Sequence, residues 1–226
     1  MQDLQRPTLV VFDMDGTMLD TEPLSMAGWQ AAIKDQQLDV STELFETTFN
    51  SIIGTNGKNC ERVICANIPG FNYKRGGDFA LKYMYDYMNE NGVPLKPGIV
   101  QLLEFLEGEG IKKCVATSSR KERAKHYLSL ANILHHFDVV VGGDEIENSK
   151  PAPDIFLEAA RRCGVDPTSC LVLEDSAAGA EGGYRAGMQV IVIPDILAPS
   201  EKTRSMAVAV CEDLFAVTAL LSNLTK

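Results

Sequence analysis

The stretch TLVVFDMDGT, residues 8–17, decides the fold of this chain. Its apolar and β-branched half, bounded by a glycine turn, predicts a fully buried strand over residues 8–12. Asp13 and Asp15 then lie at the carboxyl end of that strand, where open α/β sheets bind their ligands. An Asp-Gly pair is also an ordinary turn sequence, so the two acids by themselves leave a structural role and a chemical role equally open.

Strand-like and helical patterns alternate along the rest of the chain. Helical spacings of apolar residues precede Gly110 and Gly164. Such alternation predicts an α/β fold with a parallel sheet covered on both faces. Residues 208–210 are a candidate edge strand and residues 214–221 a last helix. The later predicted strands are residues 114–116, 139–141, 170–173 and 190–193.

Residues 21–94 interrupt this alternation. They show helical periodicity and no buried strand, and they are too long for an ordinary connection. We therefore predict an inserted helical cap domain over 21–94 and a core domain formed by 1–20 and 95–226. The predicted core of the cap consists of Trp29, Ile33, Phe45, Phe49, Val63, Ile64, Phe79, Tyr83 and Tyr87.

Composition narrows the classes of function. The 226 residues carry a formal net charge of −10, which disfavours binding to nucleic acid. Residues 1–7 lack the features of a signal peptide, and no apolar run is long enough to span a bilayer, so we expect a soluble cytoplasmic protein without a membrane partner.

The six cysteines form no metal-binding pairs and are predicted to be buried reduced thiols. The three histidines lack metal-ligand spacing.

Three later segments are expected at the same sheet edge as Asp13 and Asp15, because each follows a predicted strand. They are residues 117–119 (TSS), Lys150 with the proline after it, and Glu174-Asp175. Each alone is compatible with a helix cap or a solvated charge. Together, their carboxylates and a phosphate dianion would repel by roughly 4 kcal/mol per close pair, so a hard divalent cation is required. Oxygen ligands without histidine favour Mg²⁺.

The ordered motifs DMDGT (13–17), TS (117–118), Lys150 and LEDSAAG (173–179) resemble those of the haloacid dehalogenase (HAD) superfamily of phosphotransferases. The resemblance spans almost the whole chain. An insertion directly after the first motif is similar to the C1-capped branch, which includes β-phosphoglucomutase, sugar-phosphate phosphatases and pseudouridine-5'-phosphatase-like enzymes. The fold it implies is a Rossmann-like parallel sheet of strand order 5-4-1-2-3 with a helical cap.

The resemblance also implies roles for individual residues. Asp13 would be the nucleophile that forms an aspartyl-phosphate, and Asp15 the general acid and base. Thr117 and the amide of Ser118 would bind the phosphoryl oxygens, and Lys150 would neutralise charge there. Mg²⁺ would be held by Asp13, the Asp15 carbonyl and Asp175, with Glu174 contributing directly or through water. In the cap loop, residues 54–58, Lys58 or Asn56 is a candidate substrate contact, and a solvated turn is the alternative.

The predicted function is Mg²⁺-dependent hydrolysis of a small phosphomonoester, of the sugar phosphate or nucleoside monophosphate class. The expected partner is a small phosphorylated metabolite, and the expected state is a monomer or weak homodimer. A β-phosphoglucomutase-type mutase is an alternative. It is disfavoured by Ser25, where those enzymes have histidine, and by Gly57, where they have arginine. A catalytically silent module that binds phosphometabolites is a further alternative. Dehalogenation is disfavoured because Asp15 would have no leaving group to protonate.

Overall fold

The computed structural model describes residues 4–52 and 57–224. The chain forms two compact units. The first, called here the core unit, comprises the residues up to Asp20 and those from Val93 onward. The second, the helical unit, is Thr21–Gly92.

The helical unit contains helices α1 to α4, and the core unit contains the strands and the remaining helices. The helices are α1 (Glu22–Asp35), α2 (Thr42–Asn50), α3 (Gly57–Asn67), α4 (Tyr73–Asn91), α5 (Ile99–Gly108), α6 (Lys121–Leu130), α7 (Asp154–Cys163), α8 (Ala177–Arg185), α9 (Glu201–Met206) and α10 (Leu214–Ser222). The strands are β1 (Leu9–Phe12), β2 (Lys112–Thr117), β3 (Val139–Gly142), β4 (Cys170–Glu174), β5 (Gln189–Val192) and β6 (Ala209–Val210).

The strands form a single parallel sheet in the order β3-β2-β1-β4-β5-β6. Read from the other edge, strands β1 to β5 follow one another in the order 5-4-1-2-3, so the predicted strand order is confirmed. The predicted edge strand is present as β6. At the centre of the sheet, Val11 of β1 is in register with Cys114 of β2 and Val172 of β4. The parallel pairing brings the carboxyl ends of all these strands to one edge.

The central strand β1 is buried along its whole length, as its apolar sequence predicts. Leu9 and Val11 pack in a cluster with residues of α7 and α8, and the alternate residues Val10 and Phe12 point to the other face. On α7, Leu157 lies on the outer face and is 40% exposed. The helix instead turns Ile155, Phe156, Ala159 and Ala160 inward.

The core of the helical unit differs from its prediction in α4. Tyr83 and Tyr87 were expected in that core, but both are exposed, and Phe79 is only half-buried. The reason is the close packing of α4 on α1: a methyl group added to Gly28 of α1 would lie 3.0 Å from the Ala80 carbonyl oxygen. Only small side chains fit such a contact, so the face with Ala80 turns inward. The unit's apolar cluster consists of Ile33, Phe45, Phe49, Ile52, Ile64, Ile68 and Phe71, with Trp29 and Val63 against it.

The segments that precede and follow the helical unit are joined by hydrogen bonds within the core unit. The Asp20 amide donates to the Pro94 carbonyl, and the Lys96 amide donates to the Met18 carbonyl, both at 2.9 Å. These bonds attach residues 93–95 to the core unit, so the helical unit ends at Gly92 and not at residue 94.

All six cysteines are free thiols. Cys114, Cys170 and Cys211 are buried as predicted, whereas Cys60 and Cys163 are half-buried and Cys65 is exposed. Across residues 4–52 and 57–224, the structure contains no helix that is long and apolar enough to cross a membrane.

Candidate active site

The acidic residues of the first and last motifs meet at the carboxyl edge of the sheet. Asp13 directly follows β1, and its amide donates to the Leu173 carbonyl of β4 at 3.0 Å. Glu174 is the last residue of β4 and Asp175 follows it. Because β1 and β4 are adjacent and parallel, the side chains of these three acids are brought together although Asp13 is far from the others in sequence.

The turn after Asp15 depends on a glycine. Gly16 has a φ of 84°, a conformation that side-chain-bearing residues rarely adopt, and its amide donates to the Leu19 carbonyl at 2.9 Å. A methyl group at this position would also lie 2.5 Å from Asp175 Oδ2. Gly16 is therefore needed both for the turn and for the approach of Asp175, which bonds to the turn through the Thr17 hydroxyl at 3.2 Å.

Lys150 is the buried cation of this edge. Its ammonium group donates to Asp13 Oδ1 at 2.5 Å, to Glu174 Oε1 at 2.6 Å and to the Ala116 carbonyl at 3.2 Å. The same group lies 5.1 Å from the centre of the Phe156 ring. Only 7% of the Lys150 side chain is exposed. One positive charge therefore bridges two carboxylates in a site with little access to water.

The pKa values show that negative charge is in excess here. Burial raises the pKa of Asp13 to about 8, an effect that Glu174 and Asp15 reinforce and Lys150 opposes. Burial also raises the pKa of Asp175, with further contributions from Glu174 and Asp13. Burial alone would lower the pKa of Lys150, but the carboxylates of Asp13 and Glu174 outweigh it and raise that pKa. The ammonium group thus stays charged and does not balance the acids around it.

This arrangement suits a divalent cation. Oxygen atoms of Asp13, Glu174 and Asp175 lie within 4.8 Å of one another. Hard oxygen donors with excess negative charge are the ligand set that Mg²⁺ and Ca²⁺ prefer. Glu174 is further fixed through its second oxygen, which accepts from the Ser176 amide at 3.0 Å and the Ser176 hydroxyl at 2.9 Å. The sequence does not predict that Glu174 also anchors Lys150.

Asp15 is held by a residue that the motif comparison does not single out. The Ser119 hydroxyl donates to Asp15 Oδ2 at 2.9 Å, and the Arg123 guanidinium donates to Ser119 Oγ at 3.0 Å. Ser119 is buried, and its amide donates to Thr117 Oγ1 at 3.0 Å. The signal in the sequence for this contact is the place of Ser119 in the segment 117–119, which is predicted to lie at the same sheet edge as Asp15.

Of the two residues predicted to bind phosphoryl oxygens, Thr117 is buried at the end of β2 and Ser118 is exposed in the loop that follows. Lys58 is exposed in the first turn of α3, in the helical unit. Gly54, Thr55 and Asn56 lie outside the described residues. A substrate contact by Lys58 or Asn56 therefore stays a prediction.

Comparison with known proteins defines the class. Residues 10–193 match the family model of haloacid dehalogenase-like hydrolases, so the chain belongs to this family.

Among individual relatives, a fructose-1-phosphate phosphatase of Escherichia coli is 31% identical over 187 residues, covering 80% of this chain and 94% of its own. A probable pseudouridine-5'-phosphatase of Drosophila melanogaster is 31% identical over 221 residues, covering 88% and 87%. A phosphorylated carbohydrates phosphatase of Thermotoga maritima is 29% identical over 188 residues, covering 80% and 82%. The chain spans 18% of the length of another relative, the Arabidopsis thaliana chloroplastic protein Suppressor of Quenching 1.

Solved structures share the fold. The crystal structure of a candidate β-phosphoglucomutase from Thermotoga maritima has a TM-score of 0.77 and 25% identity, over 96% of this chain and 98% of that chain. CbbY from Rhodobacter sphaeroides, solved in complex with phosphate, has a TM-score of 0.77 and 24% identity, over 96% and 99%.

Proposed function

We propose that this protein hydrolyses small phosphomonoesters of the sugar phosphate or nucleoside monophosphate class, with Mg²⁺ held by Asp13, Glu174, Asp175 and the Asp15 carbonyl. The observation that carries the proposal is the buried Lys150 ammonium bridging Asp13 and Glu174, with Asp175 completing the acidic cluster. The Lys150 ammonium fixes the nucleophile Asp13, and the carboxylates in excess leave a site for a divalent cation that also binds the phosphate.

The relatives support the substrate class. Three of them are named for the removal of phosphate from fructose 1-phosphate, from phosphorylated carbohydrates and from pseudouridine 5'-phosphate. All are small phosphomonoesters that differ in the organic part of the molecule. The phosphoryl group is common to them and matches the chemistry of the acidic cluster.

In the proposed reaction, a carboxylate oxygen of Asp13 attacks phosphorus, and the bond from phosphorus to the ester oxygen breaks. Asp15 gives its proton to the departing alkoxide. The resulting aspartyl-phosphate is then attacked at phosphorus by water, whose proton passes to Asp15. Inorganic phosphate leaves and Asp13 is again a carboxylate.

The other residues of the site orient these groups. Lys150 holds one oxygen of Asp13 and neutralises charge on the transferring group, and Thr117 with the Ser118 amide binds phosphoryl oxygens. Ser119, supported by Arg123, holds the Asp15 carboxyl group through a hydrogen bond to Oδ2. When bound, the divalent cation supplies charge neutralisation between the carboxylate of Asp13 and the phosphate.

The test is phosphate release from a panel of sugar phosphates and nucleoside monophosphates, measured with Mg²⁺ and with EDTA. We expect metal-dependent release that Asp13→Asn reduces by a factor on the order of 10³ or more. Asp86→Asn is the matched control, because Asp86 lies on the surface of α4 in a pair with Lys82 and its loss leaves the acidic cluster unchanged.

A second readout tests the mutase alternative. Isomerisation of β-glucose 1-phosphate in the presence of a bisphosphate activator, without net phosphate release, would assign the chain to the mutases. Absence of both reactions in a protein that binds Mg²⁺ and a phosphate analogue would favour a binding module.

A further inference from the structure

Asp195, in the segment after β5, has a buried oxygen atom without a donor. Its Oδ1 accepts from the Lys96 ammonium at 2.7 Å, and its side chain is 12% exposed. Within the part of the chain that the structure describes, no group forms a hydrogen bond to its Oδ2, although that atom is shielded from solvent. A buried carboxylate oxygen is costly without a donor, so this atom calls for a partner.

The unpartnered oxygen faces the acidic cluster. A methyl group added to Gly16 would lie 3.3 Å from Asp195 Oδ2 and 2.5 Å from Asp175 Oδ2. Both carboxylates therefore border the same small space beside the Asp15-Gly16 turn. Two negative groups that share a buried space repel each other unless a donor or a cation lies between them.

Lys96 does not fill that space, because it binds the other oxygen of Asp195. Its ammonium group also lies 3.5 Å from Asp20 Oδ1. Burial would lower the pKa of Lys96, but its contacts with Asp195 and Asp20 outweigh this effect and raise the pKa. Lys96 thus fixes the orientation of Asp195, with Oδ2 directed toward Gly16.

We propose that Asp195 is a positioning residue for the divalent cation, accepting through Oδ2 a hydrogen bond from a water molecule that the cation retains. The inference rests on the metal site of the proposed function. Mg²⁺ keeps several of its waters when it is bound by a few carboxylates. Residues that hold such outer ligands commonly change metal affinity by about 10- to 100-fold when they are replaced.

The decisive comparison is between Asp195→Asn and Asp20→Asn. Each substitution removes a carboxylate that pairs with Lys96, but only Asp195 faces Gly16, whereas Asp20 is 41% exposed. The Mg²⁺ dissociation constant is measured by titration calorimetry without substrate. We expect Asp195→Asn to raise it by about 10- to 100-fold and Asp20→Asn to change it by less than about 3-fold.

Equal affinities in Asp195→Asn and the unsubstituted protein would overturn the inference. An equal loss in both variants would also overturn it, because the cause would then be the charge balance of Lys96. Melting temperatures in EDTA check that the variants are folded. If Asp195→Asn is unstable, Asp195→Ser removes the same Oδ2 and is titrated in its place, with the same outcomes deciding.

The phosphatase assay separates this inference from the proposed function. If the protein binds Mg²⁺ tightly only with Asp195 intact but hydrolyses no phosphomonoester, the proposed function fails and the inference holds. If hydrolysis depends on Mg²⁺ and Asp195→Asn binds the ion normally, only the inference fails. A protein that binds no Mg²⁺ overturns the inference whatever the assay gives.

Discussion

The carboxylate of Glu174 is fully buried and accepts from three groups, the Lys150 ammonium and the amide and hydroxyl of Ser176. Space for it is provided by Gly179 in the first turns of α8. A methyl group at Gly179 would lie 1.7 Å from Glu174 Oε1 and 2.4 Å from Oε2. The position of Lys150 beside Asp13 thus depends on a residue that has no functional group.

Gly179→Ala is expected to displace Glu174 and with it the contact to Lys150. We expect a loss of about 1–3 kcal/mol in the free energy of unfolding, from overpacking, and a loss of about 10-fold or more in the proposed Mg²⁺-dependent phosphate release. Urea denaturation and the phosphate assay measure the two effects. The control is Gly108→Ala at the end of α5, where an added methyl group meets no atom within 4 Å. Similar behaviour of the two variants would contradict this prediction.

The fluorescence of a single tryptophan, Trp29, reports on the packing of the helices in the helical unit. Trp29 of α1 is the one tryptophan in the sequence. Its ring lies 5.5 Å from Phe49, 6.1 Å from Phe71 and 5.6 Å from Tyr73, measured between ring centres. Phe49 is 2% exposed, so the aromatic cluster forms the centre of this unit.

Phe49→Ala is expected to lower the free energy of unfolding that Trp29 fluorescence reports by about 3–5 kcal/mol, through lost burial and the cavity that remains. Leu44→Ala, on the same helix but at a position 38% exposed, should change it by less than about 1 kcal/mol. Fluorescence-detected urea denaturation compares the two. The packing described for α1 and α2 would be wrong if both variants unfolded at the same urea concentration.

The pH dependence of the free energy of unfolding of the whole protein should reflect the raised pKa of Asp13 in the acidic cluster. In the metal-free protein, the pKa of Asp13 is about 8 instead of its ordinary value of 3.8. Between pH 3.8 and pH 8, Asp13 is therefore protonated in the folded state and ionised in the unfolded state. Stability therefore falls as pH rises through this range. The carboxylates with lowered pKa values, such as Glu158 and Glu145, act in the opposite sense but only below about pH 4.5.

Between pH 5 and pH 8 in EDTA, we expect the free energy of unfolding to decrease by an amount on the order of 3–4 kcal/mol. Under the proposed function Mg²⁺ binds the ionised carboxylates, and its addition is then expected to flatten or reverse this slope. Asp13→Asn should flatten it in EDTA. Thermal or urea denaturation at several pH values provides the measurement, and stability that rises with pH in the metal-free protein would contradict the account.

What could be predicted from the sequence follows from local patterns and from topology. The apolar run at residues 9–12 has to be buried, and alternating helices and strands make the sheet parallel. Because the strands are parallel, Asp13, Thr117 and Asp175 lie at one edge of the sheet, whatever the positions of the helices that connect the strands. The roles assigned to these residues in catalysis still await the experiments above.

Which side chains are in contact could be determined only from the tertiary structure. Lys150 bridges Asp13 and Glu174, Ser119 reaches Asp15, and the small residues of α1 and α4 turn Tyr83 and Tyr87 outward. Such contacts depend on how far each helix is rotated about its axis and how closely it approaches its neighbour. Periodicity in the sequence determines that a helix has a buried face, but the shape of the surface it packs against selects the face and the contacts.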